Sequence, residues 1–360
     1  MLLETASTAS PPRWAEDLQF ELPMTVLQRL EATGVRRRGS KERGFRYVRA
    51  DGRPATKLDV LRIRLLKIPP AWKDVRIHPS PNAGVQAIGK DAAGRWQYLY
   101  HQAREARRER EKFDRLVLFA RALPAMRRAV ARDIALPGMP REKVLACVLR
   151  ILSTCFLRPG SQVYAEENGS YGIATLRQKH VKVRGDRVEF DFPGKWGKLQ
   201  HRELKDRRVA RIVRELAKVR GEVFKYRNDA GEWVDVRRRH INEYIREVMG
   251  AGFSAKDFRT WAGTLICACA LARAGFEGAE TRAARKRKVV AAIKETAERL
   301  GNTPAICRAS YIYPAVLSGY ERGRVIERYF DHVDELVERR APALHRTERA
   351  LLRLLQAKAA

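Results

Sequence analysis

The sequence predicts an α+β fold, with a small N-terminal β-rich domain followed by a larger, mostly α-helical domain that carries one β-hairpin. Three observations support this. Short alternating runs separated by Pro, Asn and Gly clusters fill residues 44–100. From residue 102 onward, apolar residues recur mostly at helical spacing. One stretch, residues 181–192, returns to strict alternation around Gly185-Asp186 and reads as a hairpin. With 360 residues, 45% of them apolar, the chain can build one large or two medium domains around real cores.

Residues 1–23 are rich in Ser, Thr, Ala and Pro and read as a flexible N-terminus. They hold Glu4 and no basic leader, so they do not read as a signal peptide. The small domain is expected over residues 24–101. In it, Phe45, Tyr47 and Val48 lead into Asp51-Gly52, a hairpin-type turn, and residues 58–66 are helically spaced up to Pro69-Pro70. Three strands are expected at 75–78, 85–88 and 96–100. Gly84 to Lys90 fits the opening of a phosphate-binding loop, G-x-x-x-x-G-K. Asp91 stands where such a loop needs Ser or Thr, and a turn follows where it needs a helix, so that reading is rejected.

The large domain is expected over residues 102–345. Helices are predicted at 102–123 (strongly charged), 127–135 and 142–157, the last largely apolar and therefore buried. After the hairpin, Pro193-Gly194 presents Lys195 on a loop. Helical spacing resumes at 205–219, 241–249, 259–274, 278–300 and 321–359, with residues 346–360 forming a helical C-terminal tail. Gly301-Asn302 is a helix stop and Thr303-Pro304 a helix start, which puts Tyr311 on a short helix behind a polar loop.

Lys and Arg outnumber Asp and Glu by 73 to 42, a formal charge of +31. Such an excess repels itself in a compact chain unless a polyanion is the partner, and nucleic acid is the leading candidate. An anionic membrane surface is the alternative, but the basic residues recur along the whole chain. No apolar stretch reaches the length of a membrane span. Cys147, Cys155, Cys267, Cys269 and Cys307 form no C-x-x-C pair and read as buried thiols of a reducing, intracellular compartment. The histidines form no ligand cluster, so no metal site is expected.

Four positions invite a chemical reading beside a structural one. Arg158 follows a buried helix and precedes Pro-Gly; it suits a helix cap or a phosphoryl oxygen. Lys195 suits an exposed turn or a mobile general acid. Arg259 begins the most apolar helix, where a guanidinium needs either a carboxylate or a phosphate. Tyr311 suits a core residue or a nucleophile, with Tyr313 a rival two residues on.

Taken together, F-L-R-P-G at Arg158, F-P-G-K at Lys195, K-D-F-R-T at Arg259 and S-Y-I-Y-P at Tyr311 resemble type IB DNA topoisomerases, most closely the poxvirus-like bacterial branch. The linking phrases Y-A-E-E-N-G-S-Y-G from Tyr164 and T-L-R-Q-K-H from Thr175 match as well. So do G-F-R-Y-V-R-A-D-G-R-P from Gly44 and I-P-P-A-W from Ile68, and the likeness spans about residues 34–335. It implies that Tyr311 attacks a DNA phosphodiester to form a 3′-phosphotyrosyl link, without ATP, metal or other cofactor. Arg158, Arg259 and Asn302 would hold the phosphate oxygens, and Lys195, aided by Lys256, would protonate the leaving 5′-oxygen. Asn302 stands where many members carry histidine; it donates a hydrogen bond but cannot carry charge.

The resemblance also implies a monomer whose two domains form a clamp on double-stranded DNA in the cytoplasm, at the nucleoid. Arg237, Arg238, Arg239, Arg285, Lys286, Arg287 and Lys288 would contact backbone phosphates, although each stretch alone suits a solvated face equally. A tyrosine recombinase uses a similar residue set but would want H-x-x-R at Lys256–Arg259 and lacks the β domain. A non-catalytic nucleic-acid binder would explain the charge and leave the joint placement of the four motifs to coincidence.

Overall fold

The computed structural model describes residues 25–92, 94–331 and 341–357, without the side chains of 102–110, 112 and 196. The expected flexible N-terminus, residues 1–23, lies outside the described residues. The chain divides into two compact units, Met1–Glu111 and Lys112–Ala360.

The first unit opens with α1 (Val26–Thr33), capped reciprocally by Thr25 and Gln28. Five strands follow, β1 (Val35–Ser40), β2 (Gly44–Val48), β3 (Lys73–Ile77), β4 (Val85–Lys90) and β5 (Trp96–Tyr100), with α2 (Lys57–Leu65) between β2 and β3. The strands form one antiparallel sheet in the order β2-β1-β3-β4-β5. Val35, Ile63, Val75, Ile77 and Ala87 make its small core. Two expectations need amending. The hairpin of this sheet turns at residues 41–43, whereas Asp51-Gly52 folds the chain back only far enough to bridge Val48 with Pro54. Strand β1, V-R-R-R-G-S, was not expected, because three consecutive arginines hide its alternation. The phosphate-loop look-alike is strand β4, and no helix follows it.

Helix α3 (Gln102–Asp133) starts in the first unit, continues into the second and is a single helix through Pro124, not the expected pair. A buried stripe of Phe119, Ala120, Leu123, Met126 and Val130 runs across the proline. It outweighs the ~3 kcal/mol that an interior proline costs a helix. The core helices are α4 (Arg141–Cys155), buried on nearly every face, and α8 (Ala255–Ala274). Around them lie α5 (Gln162–Asn168), α6 (Arg207–Leu216), α7 (Arg238–Met249) and α9 (Arg282–Leu300). The short α10 (Pro304–Ser310) and α11 (Pro314–Glu321) follow.

The expected hairpin is a three-stranded antiparallel sheet, β6 (Val181–Arg184), β7 (Arg187–Pro193) and β8 (Leu199–Lys205). A further pair, β9 (Lys225–Arg227) and β10 (Trp233–Asp235), was not foreseen. The single helix expected over 321–359 is also corrected. Gly323, at φ 76°, closes α11, the chain is non-helical to Asp331, and helix α12 (Arg346–Gln356) begins later. It docks on α3 through Arg127, whose guanidinium donates to both oxygens of Glu348 at 2.7 and 3.0 Å. All five cysteines are buried thiols, none of them in a disulfide. No described helix is long and apolar enough to cross a membrane.

Candidate active site

The site is built on the N-terminal half of α8. Ser254 and Asp257 cap that helix reciprocally, the Asp257 carboxylate accepting from the Ser254 amide and hydroxyl, both at 2.9 Å. Two residues on, Arg259 points into the core and is only 4% exposed. Sequence reasoning left it a carboxylate or a phosphate as partner, and among the described residues it meets no carboxylate. Its Nη1 donates to the Phe156 carbonyl and its Nη2 to the Leu300 carbonyl at 2.8 Å. These carbonyls belong to the C-terminal ends of α4 and α9, where helix dipoles concentrate negative charge, so the buried cation rests on two helix ends. Phe156 holds its carbonyl there in a left-handed conformation, φ 55°, which a bulky residue adopts only under constraint. The Nε of Arg259 has no hydrogen-bond partner.

Arg158 leaves the end of α4 and crosses to the turn after α9, donating to the Gly301 carbonyl at 3.4 Å and to Asn302 Oδ1. It therefore does not cap its own helix. Gly301, at φ 62°, takes the left-handed position that stops α9, and Asn302 N–H returns to the Ala297 carbonyl at 2.9 Å. Because Asn302 Oδ1 faces Arg158, its Nδ2 points elsewhere, and it is buried without a partner. Arg202 of β8 adds a third guanidinium, donating to the Arg299 carbonyl at 3.0 Å. Three successive carbonyls, Arg299, Leu300 and Gly301, are thus each taken by a different arginine: Arg202, Arg259 and Arg158. Burial lowers the pKa of all three arginines, that of Arg158 to about 10 with its neighbour Arg259 adding to the effect. The side chains remain cations at neutral pH.

Tyr311 follows α10, which Thr303 caps and Pro304 opens. Its ring lies beside Arg259, with Cζ 5.1 Å from the ring centroid. Thr264 fixes the turn: its hydroxyl donates to the Thr260 carbonyl (2.8 Å) and approaches the Tyr311 carbonyl (3.2 Å), and it accepts the Tyr313 N–H at 3.1 Å. Gly263 lets the turn lie directly on α8, since a Cβ there would sit 2.7 Å from the Tyr311 carbonyl oxygen. The rival, Tyr313, packs edge-on against Phe113 with ring centroids 4.7 Å apart, and burial raises its phenol pKa.

Lys195 is exposed on the short 3₁₀ turn between β7 and β8, and Lys256 is exposed in the first turn of α8. No described contact joins either ammonium to Tyr311. Of the basic stretches, Arg237 is paired with Glu222 and Asp235, while Arg238 and Arg239 are exposed. Arg285 donates to the Ala279 and Glu321 carbonyls, and Lys288 to those of Ala274 and Glu277. Lys286 and Arg287 face outward. Sequence reasoning missed Arg202, Gly263 and Thr264. Gly263 lies one helical turn, four residues, beyond Arg259 on α8, a signal that becomes legible once Arg259 is singled out, and Thr264 follows it directly.

The family model described as the catalytic core of eukaryotic DNA topoisomerase I matches residues 101–322, and that of the bacterial DNA topoisomerase IB N-terminal domain matches residues 44–91. The DNA topoisomerase 1B of Acanthamoeba polyphaga mimivirus is 32% identical over 308 residues, covering 84% of this chain and 91% of the viral protein. The DNA topoisomerase I of Monkeypox virus is 26% identical over 239 residues, 64% of this chain and 70% of its own length. The DNA topoisomerase 1B of Vaccinia virus (strain Copenhagen) matches to the same extent. With a family model spanning most of the chain and a relative aligned over nearly its whole length, this protein belongs to the type IB DNA topoisomerases.

Proposed function

We propose that this topoisomerase relaxes supercoiled duplex DNA by transient cleavage of one strand, with Tyr311 as nucleophile and a 3′-phosphotyrosyl intermediate. One observation carries the assignment. Two desolvated guanidiniums, Arg158 and Arg259, converge beside Tyr311 with no carboxylate among the described residues to neutralise them, and two buried donors, Arg259 Nε and Asn302 Nδ2, lack an acceptor. A buried polar donor without a partner costs about 1–3 kcal/mol, and a scissile phosphate entering the site supplies both charge and acceptors.

In this reading Arg158 and Arg259 hold the non-bridging oxygens, and Asn302 acts as a neutral donor whose orientation Arg158 fixes. Lys195 protonates the departing 5′-oxygen, assisted by Lys256. The intermediate keeps the energy of the broken bond, so religation needs no ATP, and the side chains supply the neutralising charge without a metal. The two units would close as a clamp on the duplex, the protein acting as a monomer in the cytoplasm. Arg238, Arg239, Lys286 and Arg287 would meet backbone phosphates, with Arg237, Arg285 and Lys288 bracing them.

The test is covalent trapping on a duplex nicked so that the strand leaving after cleavage is short and diffuses away. Wild-type protein accumulates on the 3′ end, while Tyr311→Phe binds the duplex and gives no adduct. An adduct formed by Tyr311→Phe would overturn the assignment.

A further inference from the structure

Strand β8 turns an unusual set of residues inward, Gln200, Arg202 and Leu204, and only the last is apolar. Gln200 is 6% exposed. Its side chain fills the space between two glycines. A Cβ on Gly194 would sit 2.8 Å from Gln200 Cγ, and a Cβ on Gly301 would sit 2.5 Å from Gln200 Oε1. Gly194 immediately precedes Lys195, and Gly301 immediately precedes Asn302. The Gln200 amide also donates to the Lys198 and Leu199 carbonyls, both at 3.2 Å, within the loop that carries Lys195. Arg202, on the same strand face, donates to Gln200 Oε1 at 3.4 Å and to the Arg299 carbonyl at 3.0 Å. An unbroken chain of contacts therefore runs from the Lys195 loop, through Gln200 and Arg202, to the turn that holds Asn302.

We propose that Gln200 and Arg202 are positioning residues for the cleavage reaction, registering the Lys195 loop against the Asn302 turn. The inference rests on the reading of Lys195 as general acid. In that step the Tyr311 hydroxyl gives up its proton to solvent and its Oη–phosphorus bond forms as the phosphorus–O5′ bond breaks, while a proton passes from the Lys195 ammonium to O5′ and Lys195 is reprotonated from solvent. Lys195 is exposed on a loop that Gln200 joins to the Asn302 turn. Both glycines belong to the device, because either Cβ would drive Gln200 out of the gap. A donor displaced by about 1 Å loses on the order of 10²-fold in rate. That sets the scale of the effect.

The test compares cleavage of two duplexes, one with the normal 5′-oxygen at the scissile bond and one with sulfur in its place. A thiolate leaves without being protonated, so a defect in proton delivery disappears on the sulfur substrate. Gln200→Ala and Arg202→Ala are expected to slow cleavage of the oxygen substrate by about 10- to 100-fold. Both should cleave the sulfur substrate within a few-fold of wild type, and neither should further slow Lys195→Ala. Gly194→Ala, whose added Cβ would meet Gln200 and the Lys198 carbonyl first, is expected to reproduce the defect while leaving both side chains in place, which guards against a general folding effect. Slowing that persists on the sulfur substrate and multiplies that of Lys195→Ala would overturn the proposal. If sulfur fails to rescue Lys195→Ala itself, the general-acid reading falls, and the positioning role falls with it.

Discussion

Replacing Gly263 with alanine tests whether the close approach of α8 to the Tyr311 turn sets the position of the nucleophile. The added methyl would stand 2.7 Å from the Tyr311 carbonyl oxygen, 3.0 Å from Tyr311 Cβ and 3.1 Å from Leu300 Cδ1. A relaxed carbon–oxygen contact is ~3.3 Å, so the turn must withdraw by about 0.6 Å. Two opposing terms act on stability. Alanine in a helix interior gains about 1 kcal/mol over glycine, and overpacking costs about 1–3 kcal/mol. The net loss is at most about 2 kcal/mol, a fall in Tm of roughly 4–8 °C for a unit of this size. Catalysis has no compensating term. Since about 1 Å of misplacement is worth ~10²-fold, cleavage should slow by about tenfold or more. The assay is single-turnover cleavage of a suicide duplex beside thermal unfolding. A Gly263→Ala variant that cleaves at the wild-type rate would show that the contact does not position Tyr311.

Other residues give independent expectations. Asn302→Ala removes the unpartnered donor and should slow cleavage by on the order of 10²-fold. Asn302→Asp keeps an acceptor for Arg158 but sets a carboxylate against the phosphate, so it should cleave more slowly than Asn302→Ala while unfolding no earlier; the reverse order of rates would refute a donor role. Glu348→Ala strands Arg127 against α12 and should cost about 3–5 kcal/mol, read as a fall in the urea midpoint. His180 and His240 each accept a backbone N–H at Nδ1, from Arg177 and Arg237, and burial lowers both pKa values below the ordinary 6.5. The unfolded chain therefore takes up these protons first. Their stabilisation is complete above pH 6.5 and is lost as the pH falls through the lowered folded values. Urea midpoints should drop from about pH 7.5 to about pH 5, with a shallower drop in His180→Gln and His240→Gln.

The α+β class was legible because alternation and helical spacing occupy different parts of the chain. So was the helix stop at Gly301, because only a few residue types serve there. Elements whose inward faces are polar were not legible. Strand β8 buries Gln200 and Arg202, and β1 carries consecutive arginines, so neither shows an apolar period. The helix expected over 321–359 failed for the opposite reason: its spacing is helical, and only Gly323 and Pro342 mark the breaks. At the site, the residue types of Arg158, Arg259 and Tyr311 were readable from their motifs. Their support was not, since the carbonyls of Phe156, Arg299, Leu300 and Gly301 have no side-chain signature. That arginines would be held by helix ends rather than by carboxylates follows only from where α4 and α9 terminate in space.

In the proposed mechanism, Tyr311 and its arginine-lined site carry the whole reaction. The most direct measurement is relaxation of a supercoiled plasmid in EDTA without ATP, wild type beside Tyr311→Phe. The wild type should relax the plasmid fully and the variant not at all, although both bind it with similar salt sensitivity. Relaxation by Tyr311→Phe, or a wild-type reaction that stops in EDTA, would contradict it.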